Sequence, residues 1–141
     1  MRRPIFTACL AVVMLVVLAC GCAGSGKGPT DEELITGMLT GWKAALETKD
    51  LEKMMAPYSE DFAGEGGAGK PELRQFIQRA IDEGYLDDAK VDLEKAQTTR
   101  EGETATVGPV ALSGSYGTLE LDLKLKKEAD GAWRIVGSDR R

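Results

Sequence analysis

The sequence contains no histidine, and this absence removes the side chain on which many catalytic and metal sites depend. No other unperturbed side chain titrates between about pH 5 and 8, so Ser-His-Asp, Cys-His and His-metal mechanisms are excluded. Any catalysis would have to use carboxylates, Tyr, Lys or water. Long apolar runs are also missing, apart from one close to the N-terminus.

That apolar run extends from Ile5 to Leu18 and follows Arg2 and Arg3. Its 14 residues are too few for a comfortable membrane span, and a run of this length after a positive start is typical of a signal peptide. The residues VLAC at positions 17–20 resemble the lipobox of bacterial lipoproteins, in which an aliphatic and a small residue precede a lipid-modified cysteine. This resemblance predicts a signal peptide at residues 1–19 and a lipid, such as palmitate, on Cys20.

Two alternatives stay open for this end of the chain. The first is that Cys22 carries the lipid, since it fits the looser lipobox pattern although it lacks the aliphatic residue three positions upstream. The second is that the apolar run is an uncleaved anchor helix or a simple cleaved signal. The resemblance to lipoproteins also implies that Gly21, which is not the Asp of an inner-membrane retention signal, permits sorting to an outer membrane. We therefore expect a lipid-anchored protein of the cell envelope, facing the periplasm from the outer membrane in a Gram-negative cell.

Processing at Cys20 would change both the charge and the thiol content of the chain. Loss of the two N-terminal arginines leaves 16 basic against 23 acidic residues, a net charge of −7, which argues against nucleic-acid binding. Cys9 would be removed and Cys20 modified, so Cys22 alone would remain and neither a disulfide nor a zinc site could form. We expect no metal and no cofactor. The Gly-rich residues 20–29 are predicted to form a flexible tether.

Residues 30–141 carry the periodicity of one folded domain. Thr30 begins a capping box, and apolar residues at helical spacing predict a first helix to about Thr48. Gly37 and Gly41 lie one turn apart within it, which predicts close approach by another element. A short second helix starts after Asp50 and stops before Pro57, and a third of about 13 residues runs from Pro71 to Gly84.

After Asp88 the period changes from 3.6 to 2, which predicts hairpin-linked strands. Val107 and Val110 differ in parity around Gly108-Pro109, so a bulge is expected there. Helices grouped before an antiparallel meander indicate an α+β domain with the helices packed on one face of a curved sheet. Four main strands are expected, at residues 89–94, 105–112, 119–126 and 132–138.

This order of elements resembles the NTF2-like superfamily, in particular its SnoaL-like and DUF4440-like domains. The resemblance covers Thr30 to about Asp139 and is carried by four motifs, Leu39-x-x-Trp42, Asp50-x-x-x-Met54, Tyr58-Ser59-x-Asp61-Phe62 and Trp133-Arg134-Ile135-Val136. It implies a cone with an apolar pocket between helices and sheet, and it implies that dimers are common. By parity, the residues expected to face the pocket are Met38, Trp42, Met54, Met55, Phe62, Phe76, Tyr116 and Trp133.

The resemblance also implies a type of active site. Ketosteroid isomerase-like and polyketide cyclase-like members place a carboxylate base with a Tyr or a second acid in the pocket, where burial raises the pKa of the carboxylate. The candidates here are Asp61, Asp88, Tyr58 and Tyr116, and no pair among them stands out. The superfamily's His-Asp type of site has no counterpart in a chain without histidine, so we favour a binding domain over an enzyme.

The segment from Gly64 to Lys70 matches the nucleotide-binding pattern G-x-x-x-x-G-K and must be considered separately. Pro71 stands where Ser or Thr would hold magnesium, and the hairpins that follow lack the alternating strands and helices of a nucleotide-binding sheet. We therefore expect a loop connection here and no nucleotide.

Three functions stay open at this point. The first is an exported, membrane-anchored lipoprotein whose NTF2-like domain binds, without catalysis, a small apolar ligand or a protein partner, which includes a second copy of itself through the exposed sheet. The second is a pocket enzyme of the isomerase, cyclase or hydratase class that uses an Asp and a Tyr. The third is a structural envelope module whose cone is filled by Met and Leu side chains.

The anchoring prediction is tested by replacing each cysteine. Cys20→Ser should move the protein from the membrane fraction to the soluble fraction, because the acyl chains that hold it would be lost. Cys22→Ser is the matched control and should leave the protein in the membrane fraction. The reverse pattern would show that Cys22 is the attachment site, and mass spectrometry of the native N-terminus would identify the modified residue directly.

Overall fold

The computed structural model describes residues 28–141. The predicted signal peptide, Cys20, Cys22 and most of the predicted tether lie outside the described residues. No helix within 28–141 is both long and apolar enough to cross a bilayer. The elements are α1 (Asp31–Glu47), α2 (Leu51–Met55), a short 3₁₀ turn (Glu65–Gly67), α3 (Lys70–Asp82), β1 (Lys90–Asp92), β2 (Gln97–Glu101), β3 (Thr104–Gly114), β4 (Gly117–Lys127) and β5 (Trp133–Arg140).

The helices begin where their capping residues predict. At α1 the Glu33 amide donates to the Thr30 hydroxyl at 3.2 Å, and the Thr30 amide donates to the Glu33 carboxylate at 2.7 Å, so the capping box is confirmed. The Asp50 carboxylate accepts from the Lys53 amide at 3.1 Å and caps α2 through this single bond. Gly84, with a φ of 78°, follows the last turn of α3.

The expectation that Gly37 and Gly41 mark close approach by another element is wrong. Both residues are exposed, and a Cβ added to either would meet nothing within 4 Å. The helical spacing that directs Ile35 and Leu39 into the core turns the two glycines to the opposite side of α1, where they face solvent. They weaken the helix without a compensating contact.

One antiparallel sheet of five strands forms the second layer, with the order β1-β3-β4-β5, and β2 also pairs with β3. The register of β3 on β4 shifts between Val107 and Val110, which confirms the predicted bulge at Gly108-Pro109. The bulge directs four side chains into the core, Ala105, Val107, Val110 and Leu112.

The expected sheet had four strands, and the additional one is β2. All five of its residues, QTTRE, are exposed, so the sequence carries no apolar alternation at this point. It is a strand because it pairs with β3, with Gln97 opposite Gly108 at one end and Glu101 opposite Thr104 at the other. An edge strand with both faces in water cannot be recognised from hydrophobic periodicity.

Two glycine substitutions should change stability in opposite directions. Gly108→Ala would place a Cβ 1.8 Å from Oδ1 of Asp122, so we expect the free energy of unfolding to fall by about 1–3 kcal/mol. Gly37→Ala should raise it by about 1 kcal/mol, because alanine favours a helix interior and the site is open. Urea unfolding followed by circular dichroism measures both values, and a stabilised Gly108→Ala variant would contradict the described packing.

Candidate functional site

The interior of the cone is filled by side chains. Among the residues expected to line a pocket, five are at most 5% exposed and belong to one hydrophobic cluster, and Met38 packs against it partly buried. Their side chains occupy the space between the helices and the sheet where the resemblance implied a pocket. The five are Trp42, Met54, Met55, Phe62 and Trp133.

The other two expected pocket residues are on the surface, so their assignment is wrong. Phe76 is 65% exposed and Tyr116 is 42% exposed. Ile77 and Ala80 form the side of α3 that faces the core, and Phe76 lies on the flank of the helix beside them. Tyr116 lies in the turn between β3 and β4, where strand parity no longer determines the direction of a side chain.

One surface concavity is an open groove of about 870 Å³, which we call the Ser59 groove. It lies between the segment Tyr58–Asp61 and the turn that joins β4 to β5, with Lys70 and Glu103 at its margins. Four basic and five acidic side chains line it, so its character is polar rather than apolar. This concavity is the candidate site.

One wall of the groove is held by backbone pairing with β5. The Ile135 amide donates to the Pro57 carbonyl at 2.8 Å, and the Ser59 amide donates to the Ile135 carbonyl at 2.9 Å. Further along, the Ala63 amide donates to the Val136 carbonyl at 3.0 Å. The segment 57–63 therefore covers the outer edge of β5 at Ile135 and Val136 and fixes the backbone at Ser59.

A buried hydroxyl joins the two walls. Ser59 is 1% exposed; its hydroxyl donates to Oε1 of Glu128 at 2.5 Å and accepts from the Asp61 amide at 3.1 Å. Arg134 donates to Oε2 of Glu128 at 2.5 Å and to both carboxylate oxygens of Asp130 at 3.0 and 2.7 Å. The ion pairs of Arg134 and the hydrogen bond from the Ser59 hydroxyl therefore hold the β4–β5 turn in one geometry.

These contacts also set the ionisation of the groove. The hydroxyl of Ser59, assisted by Arg134, lowers the pKa of Glu128 below its ordinary value. Hydrogen bonds from Arg134 lower the pKa of Asp130 to about 2. Both carboxylates are therefore ionised at neutral pH and are weak bases, which favours charge recognition over proton transfer.

The groove adjoins the start of α1 through Asp31. Lys127, which lines the groove, donates to Oδ1 of Asp31 at 2.8 Å, and the indole N–H of Trp133 donates to the same oxygen at 3.0 Å. Arg100 approaches Oδ2 at 3.2 Å. The hydrogen bonds from Lys127 and Trp133 lower the pKa of Asp31. The chain that leads to the predicted tether thus leaves the domain beside the groove.

The four candidate catalytic residues do not come together at one site. Tyr58 and Asp61 both line the groove, whereas Asp88 precedes β1 and Tyr116 lies in the β3–β4 turn. The Tyr58 ring packs edge to face on Phe62 with centroids 5.1 Å apart. Burial raises the pKa of Tyr58 to about 12, so its hydroxyl stays protonated at neutral pH.

Lys70, the last residue of the G-x-x-x-x-G-K pattern, lies at the margin of the Ser59 groove. Its amine contacts the Glu60 carboxylate at 2.5 Å, in an ion pair that joins the start of α3 to the groove wall. Gly66 and Gly67 have φ values of 74° and 83°, so the glycines serve the turn before α3. Across residues 28–141 no three His, Cys, Asp or Glu side chains come together as a possible metal site.

The likeness to known proteins lies in the fold rather than in the sequence. No protein-family model matches the sequence. A search of curated proteins likewise finds no match. Solved structures do match, and the helical layer on a curved antiparallel sheet is the architecture that they share with this chain.

Three of these structures illustrate the likeness. A protein of unknown function with a cystatin-like fold from Nostoc punctiforme is 19% identical, covers 81% of this chain and 93% of its own, and gives a TM-score of 0.63. A proposed ketosteroid isomerase from Shewanella frigidimarina is 20% identical over 77% of this chain and 94% of its own, with a TM-score of 0.62. An NTF2-like protein of unknown function from Shewanella oneidensis is 20% identical over 79% and 98%, also with a TM-score of 0.62. Residues 28–141 therefore have an NTF2-like fold.

Acid should remove the contribution of Asp130 to stability. Its pKa is about 2 in the folded protein and near 3.9 in an unfolded chain, so its stabilising effect is complete above about pH 4 and is lost as the pH falls toward 2. Asp130→Asn should therefore lower stability at pH 6 and make little difference at pH 2. Glu94→Gln, in an exposed turn, is the control for charge. An equal loss at both pH values in urea unfolding would contradict the ion pair with Arg134.

Proposed function

We propose that this chain is a lipoprotein of the bacterial cell envelope, anchored through Cys20, whose NTF2-like domain binds a protein partner at the Ser59 groove without catalysis. The lipobox at positions 17–20 supports the anchor, and in a Gram-negative cell the domain would face the periplasm from the outer membrane. The observation that carries the proposed binding is the contrast between a filled interior and an open, charged groove.

The filled interior argues against a small apolar ligand. Such a ligand would have to displace the side chains of Trp42, Met54 or Trp133, each at most 3% exposed. Dense packing of this kind resists insertion, because added volume forces neighbouring side chains away from their preferred rotamers. The groove is the surface that a partner can reach without such a change.

The chemistry of the groove favours a polar segment of a protein. Glu128, Asp130 and Arg134 present both signs of charge in fixed positions, and Lys126 adds an exposed cation at the margin. A segment that carries both charges and backbone amides matches such a lining, whereas an apolar molecule does not. The position of the groove beside the start of α1 would make the partner another component at the membrane surface.

An enzyme finds less support in the geometry. Of the groove carboxylates, Glu128 and Asp130 have lowered pKa values, whereas a general base that works near neutrality needs a raised one. The likeness to a proposed ketosteroid isomerase, at 20% identity, is a likeness of fold.

Photocrosslinking at Ala129 tests the proposed site. Ala129 is exposed in the groove, so a photoreactive residue there should give a discrete protein adduct in intact cells. Lys126→Glu should abolish the adduct because it reverses a charge of the groove, whereas Lys124→Glu, on the same strand but outside the groove, should retain it. Equal loss in both variants, or a product the size of a small molecule, would contradict binding of a protein partner here.

A further inference from the structure

β2 forms an unprotected stretch of one edge of the sheet. β2 pairs with β3 along one side, and within residues 28–141 no strand pairs with its other side. All five of its residues are exposed. An edge of this kind presents backbone N–H and C=O groups that can pair with another strand. β2 contains neither proline nor lysine, the residues that commonly block such pairing, and Thr98 and Thr99 favour a strand.

We propose that two copies of this chain pair through β2, antiparallel, around a two-fold axis at Thr99. The pairing would join two five-stranded sheets into one continuous sheet. It is a separate surface from the Ser59 groove. It rests on the membrane anchoring proposed above, because the anchor supplies the concentration that a small interface needs.

The sequence of β2 is complementary to itself in this register. Gln97 would lie opposite Glu101 of the second copy, where its amide can donate to the carboxylate. Thr99 would lie opposite Thr99, a favourable cross-strand pair. A strand of unrelated sequence would not be expected to match at both positions.

The outer face of the sheet is a poorer surface for a second copy. Its exposed side chains on the central strands include Thr104, Thr106, Lys124 and Lys126, and they are polar. Two such faces packed together would bury lysines against lysines without the apolar area that drives face-to-face association. Edge pairing leaves these side chains in solvent.

The anchor point lies next to the edge. Arg100 contacts Asp31 at 3.2 Å and Glu32 at 3.3 Å, and these are the first two residues of α1. The predicted tether therefore leaves the domain beside β2. Because the two-fold axis of an antiparallel edge pair is perpendicular to the sheet, the helical layers of both copies lie on the same side. Both tethers would thus start near the axis and could reach one membrane.

The size of the edge explains why anchoring matters. Five residues bury much less than the roughly 1,200–2,000 Å² of a stable interface, so the pairing would be weak in dilute solution. Confinement of both copies to one membrane raises their effective concentration and converts a weak contact into a populated dimer. The proposal is therefore a dimer at the membrane.

Cysteine cross-linking of the full chain in membranes tests this register. Across the two-fold axis the two Thr99 Cα atoms would be about 4.5–5.5 Å apart, which is within the range of a disulfide. Thr99→Cys should therefore give a dimer on a non-reducing gel after mild oxidation. Thr106→Cys is the matched control, since Thr106 pairs with Thr99 on the next strand inward. Its two copies would be about 14 Å apart, too far for a disulfide.

The wild-type chain shows how much disulfide-linked dimer its own cysteines form. More dimer from Thr99→Cys than from the wild type and Thr106→Cys supports edge pairing, and equal yields from all three overturn it. The cell fraction that contains the protein reports anchoring separately. If the Thr99→Cys variant is found in the membrane fraction but stays monomeric, the proposed pairing is wrong and the proposed anchor is still supported. If the protein is found in the soluble fraction, the proposed anchor is wrong. If the Thr99→Cys variant is soluble and also stays monomeric, both the anchor and the dimer at the membrane are wrong.

Discussion

The contacts of Asp31 hold the two layers of the domain in register. This one carboxylate, in the first turn of α1, binds Lys127 at the end of β4, Trp133 at the start of β5 and Arg100 in β2. A negative charge is favourable at a helix N-terminus, so the same group stabilises α1 and fastens it to three strands. The attachment lies beside the buried Trp133 and the Ser59 groove, so it links the start of α1 to both.

Much of the fold could be predicted from the sequence, because its elements carry local signals. The capping box at Thr30, the short helix after Asp50 and the bulge at Gly108-Pro109 each depend on a few neighbouring residues. β2 could not be predicted, since its exposed residues have no apolar pattern and only β3 makes them a strand. The exposure of Phe76 could not be predicted for a similar reason, since it depends on which elements pack against α3 and not on the helical spacing alone.

The candidate site was predicted only in part. Tyr58 and Asp61 were singled out and do line the groove, but Ser59, Glu128 and Arg134 were not considered as site residues. The contact between Ser59 and Glu128 joins residues 69 positions apart in the chain, and no periodicity reports such a contact. The contact between Asp31 and Trp133, which are 102 positions apart, was not predicted for the same reason. A single sequence indicates what each side chain can do but not which side chains meet.

The coverage of β5 by residues 57–63 limits how copies of this domain can assemble. A sheet with two open edges can add neighbours on both sides and grow into a filament. Here the backbone of Pro57, Ser59 and Ala63 occupies the outer edge of β5 at Ile135 and Val136, so another strand cannot pair along this part of the edge. The β5 edge is therefore a poorer template for strand pairing than β2, which disfavours growth into a filament where copies are crowded on a surface.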